Sequence, residues 1–173
     1  LMIAVAAGLS AGRPAAATDV PHAVVLMYHR FGESSLPSTN IRLDQLGAHI
    51  AELKSAAFNV WPLDRIINHI KANEPLPDRT IAITIDDAYA SVYHQAWPRF
   101  RTANLPFTVF VSTDQVGRSD NYLTWDQIRE MQAAGVLIGH HGAAHGHMAN
   151  ATSNSISQDL LRANKAFQNE LGE

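Results

Sequence analysis

The sequence predicts an α/β protein built on a parallel sheet with crossover helices. Three observations carry this reading. From His22 onward, short β-rich apolar runs alternate with longer amphipathic segments, the pattern of repeated strand–helix units. Several of those runs lack polar alternation, as strands covered on both faces do. Finally, the acidic and histidine-rich stretches fall just beyond the carboxyl ends of candidate strands, where sites collect in parallel sheets.

The chain has 173 residues, 46% of them hydrophobic, enough for one globular domain with its own core. A formal charge of −3 lacks the basic excess of a nucleic-acid binder, so nucleic acid is not an expected partner. The absence of cysteine excludes disulfides, thiolate catalysis and cysteine-type zinc sites. It leaves histidine and carboxylate as the available metal ligands.

The opening run L-M-I-A-V-A-A-G-L, followed by Ala15-Ala16-Ala17, has the length and the small-residue exit of a secretory signal. Residues 1–17 are therefore expected to be part of a signal peptide, and 18–173 the functional domain. The run is too short to span a bilayer, so no stable membrane span is expected, and the implied location is periplasmic or secreted. A short buried helix is the alternative reading of the same residues.

The elements follow in order. A-V-V-L-M-Y at 23–28 is almost wholly apolar and predicts a strand buried on both faces. A Gly-, Ser-, Pro- and Asn-rich loop spans 32–40. Leu43, Leu46, Ile50 and Leu53 then recur at three- and four-residue steps and predict a helix. A short strand is expected at 58–61, a helix at 63–72, and a turn around Pro75 and Pro77. T-I-A-I-T-I-D at 80–86 is the clearest strand of the chain. A helix is expected over 91–104 despite Pro98, with Tyr93, Trp97 and Phe100 as packing residues on one face, and a strand over 106–112. Thr124 and Gln127 form a capping box opening a helix that Gly135 stops. Strand 136–140 and a final amphipathic helix from Ile156 complete the series. Trp125, at a helix start, is read as core rather than as a sugar-stacking platform.

Two stretches carry the chemistry. I-T-I-D-D-A-Y sets Asp86 and Asp87 side by side at the end of an apolar strand, where like charges repel and burial is costly without a partner. G-H-H-G-A-A-H-G-H-M gathers four of the nine histidines. His141 and His145, four apart, would share one face of a helical turn. With one aspartate they make the two-histidine, one-carboxylate set of an open catalytic metal site. The other aspartate of the doublet is then free to handle protons, since successive side chains at a strand end point in different directions. Alternatively, the doublet caps a helix and the histidines bind metal adventitiously.

The pair of motifs, together with L-M-Y-H-R-F at 26–31, P-L-P-D-R-T-I-A-I-T-I-D-D, L-P-F-T-V-F-V and Y-L-T-W-D-Q-I, resembles the polysaccharide deacetylase family, the NodB-homology domain of carbohydrate esterase family 4. The resemblance implies a deformed (β/α) barrel and removal of N-acetyl groups from an N-acetylated amino-sugar polysaccharide or oligosaccharide. It implies Asp86 as general base and Asp87, His141 and His145 as ligands of a divalent metal, zinc first, with Co2+, Ni2+ or Fe2+ as alternatives. His29 would line the substrate pocket or else be a buried structural histidine, Tyr89 would line the cleft, His140 would be a pocket wall or support the ligands from behind, and His147 would lie in solvent. Two departures stand out. Gly142 occupies the place of the family's Ser or Thr after the first ligand histidine. The family's later segments, one of which carries the general acid, have no counterpart after His147. The barrel is accordingly expected to be incomplete in this chain, which would be the N-terminal part of a catalytic domain. Rival expectations are a deacetylase-fold amidase acting on a non-sugar C–N bond, a non-catalytic glycan-binding module, and an envelope metal-binding protein built on the histidine cluster.

Overall fold

The computed structural model describes residues 21–55 and 57–172. The expected signal segment, 1–17, lies outside the described residues.

Strands β1 (Val24–Tyr28), β5 (Thr80–Asp86), β6 (Thr108–Val111) and β7 (Leu137–His140) form a parallel sheet in the order β1-β5-β6-β7. β4 (Asn59–Val60) pairs with the start of β5. Helices α1 (Leu43–Leu53), α2 (Leu63–Lys71), α3 (Trp97–Ala103), α4 (Trp125–Ala133) and α5 (Ser153–Leu171) make up the helical layer. The alternation seen in the sequence is thus the fold.

β5 is the centre of the sheet. All seven of its residues are buried, and Ile81, Ile83 and Ile85 enter the main core. Leu46 and Leu53 from the stripe of α1 join them, as do Phe100, Val109, Ile128 and Met131. Trp97 and Phe100 are buried as expected, Tyr93 packs against the same core, and Trp125 meets Phe167 of α5 edge-on at 6.1 Å between ring centroids. The capping box forms as predicted, with Gln127 N donating to Thr124 Oγ1 at 3.3 Å and Thr124 N to Gln127 Oε1 at 3.0 Å.

Three local expectations are corrected. β1 is not buried on both faces: it lies at one end of the strand order, and Val24, Val25 and Met27 are 56%, 49% and 62% exposed. An apolar run announces a strand but not its neighbours, and this strand has a partner on one side only among the described residues. The loop over 32–40 is bracketed by a two-stranded pair, β2 (Arg30–Phe31) with β3 (Asn40–Ile41). The helix expected over 91–104 begins as a π-helical turn, Val92–Ala96, before α3. Pro98, which can donate no backbone hydrogen bond, is the second residue of α3, directly after the place where Trp97 N bonds back to Val92 O and the π-helical turn gives way to α-helix.

Candidate metal and catalytic site

β5 delivers Asp86 as its last residue, and the chain then turns sharply. Asp87 and Ala88 both adopt left-handed backbone, φ 73° and 59°, while Asp87 N donates to Phe110 O of β6 at 3.0 Å. A non-glycine residue pays for that conformation, and two in succession mark a turn fixed by its surroundings rather than by preference. The turn separates the two carboxylates. Neither acts as a helix cap: the turn that follows opens at Ser91 with no side-chain capping bond. The capping alternative for the doublet is thereby removed.

β7 delivers the histidines from the neighbouring strand end but one. Their convergence does not come from a helical turn, as the four-residue spacing suggested. Residues 141–147 form an irregular loop in which Gly142 and His145 have φ of 73° and 55°. This loop brings His141 Nε2 within 3.6 Å and His145 Nε2 within 3.0 Å of Asp87 Oδ1. The three ligand atoms all lie within 4.8 Å of one another. Asp87 Oδ1 is buried yet makes no hydrogen bond, the His145 contact lying off the hydrogen-bond direction. A buried carboxylate oxygen without a donor is costly. Facing two imidazole nitrogens, it has the donor set that suits a divalent cation.

Asp86 sits beside this cluster, 9% exposed. Burial pushes its carboxyl above the ordinary range. His141, His29 and His145 oppose that rise, while the charge of Asp87 adds to it. A carboxylate raised by desolvation is a better proton acceptor than an exposed one, as a general base requires.

The three expected pocket residues take distinct places. His29, just past β1, contributes to the field at Asp86 and lines a cavity of about 220 Å³ with Arg30 and Asn40. Tyr89 stacks on Tyr122 at 5.2 Å and carries the Arg30 guanidinium 3.4 Å above its ring. Burial, then the charge of Asp87, hold its hydroxyl above the ordinary tyrosine range, so it remains protonated and able to donate. His140 turns towards α5, with Phe167 at 5.7 Å, and its Nδ1 lies 3.3 Å from Gly142 N. It supports the loop between the histidines. His147 is exposed.

Sequence reasoning missed two groups. Glu33 binds Arg30 at 2.7 Å and accepts from Ser91 at 2.8 Å, tying the Arg30–Tyr89 stack to the core side of the site. Asp159, on α5, accepts from Ala143 N and Ala144 N at 2.9 Å each. Only Asp159 left a trace in the sequence: it shares a helix face with Ile156, Ala163 and Phe167, and a carboxylate on an apolar stripe calls for a partner.

A parallel α/β sheet with an Asp-His-His cluster and a raised carboxylate at its strand ends defines the class: an α/β protein with a candidate hydrolytic metal centre. The sequence pattern of the family described as polysaccharide deacetylase matches residues 73–173, more than half of the chain. The chain belongs to the polysaccharide deacetylase family.

Among curated relatives, YxkH of Bacillus subtilis, named for the same family, is 23% identical over 145 residues, covering 84% of this chain and 51% of the relative. The poly-beta-1,6-N-acetyl-D-glucosamine N-deacetylase of Escherichia coli is 24% identical over 141 residues, covering 72% of this chain and 21% of that one. The chain therefore spans about half the length of the first relative and about a fifth of the second. Among solved structures, IcaB from Ammonifex degensii superimposes with a TM-score of 0.77 at 25% identity, covering 87% of this chain and 70% of that one. A de-N-acetylase from Aggregatibacter actinomycetemcomitans gives a TM-score of 0.74 at 21% identity, covering 87% and 76%. The open sheet seen here agrees with a part of that fold.

Proposed function

We propose that the protein hydrolyses the N-acetyl groups of an amino-sugar polysaccharide. Asp87, His141 and His145 would hold a divalent ion, and Asp86 would be the general base. The observation that carries this reading is the convergence of three ligand atoms on a space where Asp87 Oδ1 is buried and accepts no hydrogen bond. Zinc suits two imidazoles and one carboxylate, and Co2+, Ni2+ and Fe2+ suit the same set. When bound, such an ion supplies Lewis-acid polarisation and a lowered pKa for water.

The chain's own residues supply the rest. Asp86, desolvated and adjacent, takes the proton from the attacking water. The Asp87–Ala88 turn keeps the two carboxylates in separate roles, and Tyr89 with Arg30 forms a wall beside them. The E. coli relative acts on poly-N-acetylglucosamine by its name, which supports a polymer of N-acetylated amino sugars as the substrate class. We assign residues 18–173 to the N-terminal part of the catalytic domain. The apolar opening and Ala15-Ala16-Ala17 support export, with action on a polysaccharide outside the cytoplasm. No helix among the described residues is long and apolar enough to cross a membrane.

The test is acetate release from N-acetylglucosamine oligomers by the full-length gene product loaded with Zn2+ or Co2+. Release that disappears in Asp86→Asn supports the reading. Binding of the oligomers with no release by the parent protein would replace it with a glycan-binding module, and release from small amides alone with an amidase.

A further inference from the structure

The loop between the two histidines raises a question that its own sequence does not answer. G-A-A has no side chain able to hold a backbone in place, yet His141 and His145 must be presented together with two residues in left-handed conformation. Backbone that is not in a helix or strand has to find other partners.

It finds them on both sides. On one side, His141 N donates to Val111 O at 2.8 Å, Thr113 N to Gly142 O at 3.2 Å and Asp114 N to Ala143 O at 3.0 Å, fixing the loop to the end of β6. On the other, the Asp159 carboxylate takes Ala143 N on Oδ2 and Ala144 N on Oδ1. Bonds from backbone N–H to a charged carboxylate are among the stronger kind. Arg162, one turn further along α5, binds Asp159 Oδ1 at 2.9 Å and Asp114 Oδ2 at 3.2 Å, joining the helix to the β6 side of the same loop.

Gly142 completes the arrangement. A Cβ at this position would meet Asp159 Oδ2 well inside van der Waals contact, and φ of 73° disfavours any side chain there. The carboxylate of Asp159 stands where a residue with a side chain would otherwise project.

We propose that Asp159 is a positioning residue for the metal site, and that Gly142 is glycine so that this carboxylate can reach the loop. The proposal rests on the reading of Asp87, His141 and His145 as ligands. Asp159 touches no ligand atom: it acts by holding the backbone that carries both histidines. Groups that orient metal ligands without touching the ion typically change affinity by about 10–100-fold when removed.

The experiment measures Co2+ affinity, the Co2+ visible absorption bands and amide hydrogen exchange in the full-length gene product. Asp159→Asn keeps the shape but loses the charge and one acceptor. It is expected to weaken Co2+ binding by about 10–100-fold, to alter the absorption bands and to speed exchange at Ala143 and Ala144. Glu170→Gln, which removes the charge that α5 offers to Arg129 far from the loop, is the control for general loosening of α5 and should bind as the parent does. Gly142→Ala should weaken binding in the parent, and by less in an Asp159→Ala background, where the obstruction is gone and only the backbone strain of a side chain at φ 73° is left. Asp87→Ala tests the metal reading separately. If Asp87→Ala abolishes binding while Asp159→Asn binds like the parent, the positioning role is overturned and the metal site stands. If the parent binds no Co2+, the metal reading falls, and unchanged exchange at Ala143 and Ala144 in Asp159→Asn would overturn the structural half as well.

Discussion

Asp86 and Asp87 are neighbours in sequence with different surroundings, and the difference predicts different losses. Asp86→Asn should reduce acetate release by about 10²–10⁴-fold, the range expected for a lost general base, while Zn2+ affinity is retained. Asp87→Ala should lose the metal and with it the activity. Asp86 also has a stability consequence. Its folded-state carboxyl is raised chiefly by burial, so ionising it opposes folding. That penalty is fully present above the folded pKa, fades as pH falls through it, and is absent below the unfolded value of about 3.9. Metal-free Asp86→Asn should therefore melt at a higher temperature than the parent at neutral pH, with the advantage vanishing in acid. Thermal scans across pH check the direction. Both aspartates were legible in the sequence as candidate functional residues, because a charged pair ending the apolar run T-I-A-I-T-I calls for either a helix to cap or a cation, and only the fold removes the first. Which one faces the histidines followed from the family resemblance. The physical cause, a left-handed turn at Asp87 and Ala88, is invisible to residue spacing.

At the scale of elements, β7 and α5 present the histidines and fix their loop. Gly139 of β7 lies flat against Phe110 of β6, where a Cβ would come within 2.9 Å of two ring carbons. Gly139→Ala should cost about 1–3 kcal/mol by overpacking, read from denaturant midpoints. The clamp from α5 is pH-dependent in the opposite sense to Asp86. Burial alone would raise the Asp159 carboxyl, but the N–H groups of Ala144 and Ala143, with Arg162, outweigh it and lower it. Its contribution to stability is present above the unfolded value of about 3.9 and lost as pH falls through the depressed folded value. The difference in melting temperature between the parent and Asp159→Asn should accordingly shrink in acid. Helix α4 was readable to its cap because a capping box is local, set by residues three apart. The His141–His145 spacing suggests a helical turn because spacing carries no trace of the contacts that impose the loop's geometry, those to the end of β6 and to Asp159 of α5.

For the whole molecule, the main feature is the side of β1 that has no partner strand among the described residues. Val24, Val25 and Met27 are exposed, and Val24 and Met27 line a cavity of about 580 Å³ together with Leu26, His49, Leu53, Phe58 and Ile81. An apolar strand with a free edge invites pairing with another chain. The 173-residue chain made alone should self-associate at micromolar concentration, and Met27→Lys should reduce that association without unfolding the protein. Light scattering against concentration is the measurement. The expectation of an incomplete barrel fits this picture, since a strand at the end of an open order keeps apolar surface that a closed barrel would cover.

The sequence by itself determined the order of strands and helices, the apolar faces that make the core, and the two stretches that carry the chemistry. These are local properties, set by periodicity, caps and residue type. Only the tertiary structure decided that β1 comes last in the strand order of the described residues, that a loop rather than a helical turn gathers the histidines, and that a carboxylate 14 residues beyond His145 holds that loop in place. Each of these depends on contacts between segments distant in the chain, and the periodicity of any one segment carries no information about which others will pack beside it.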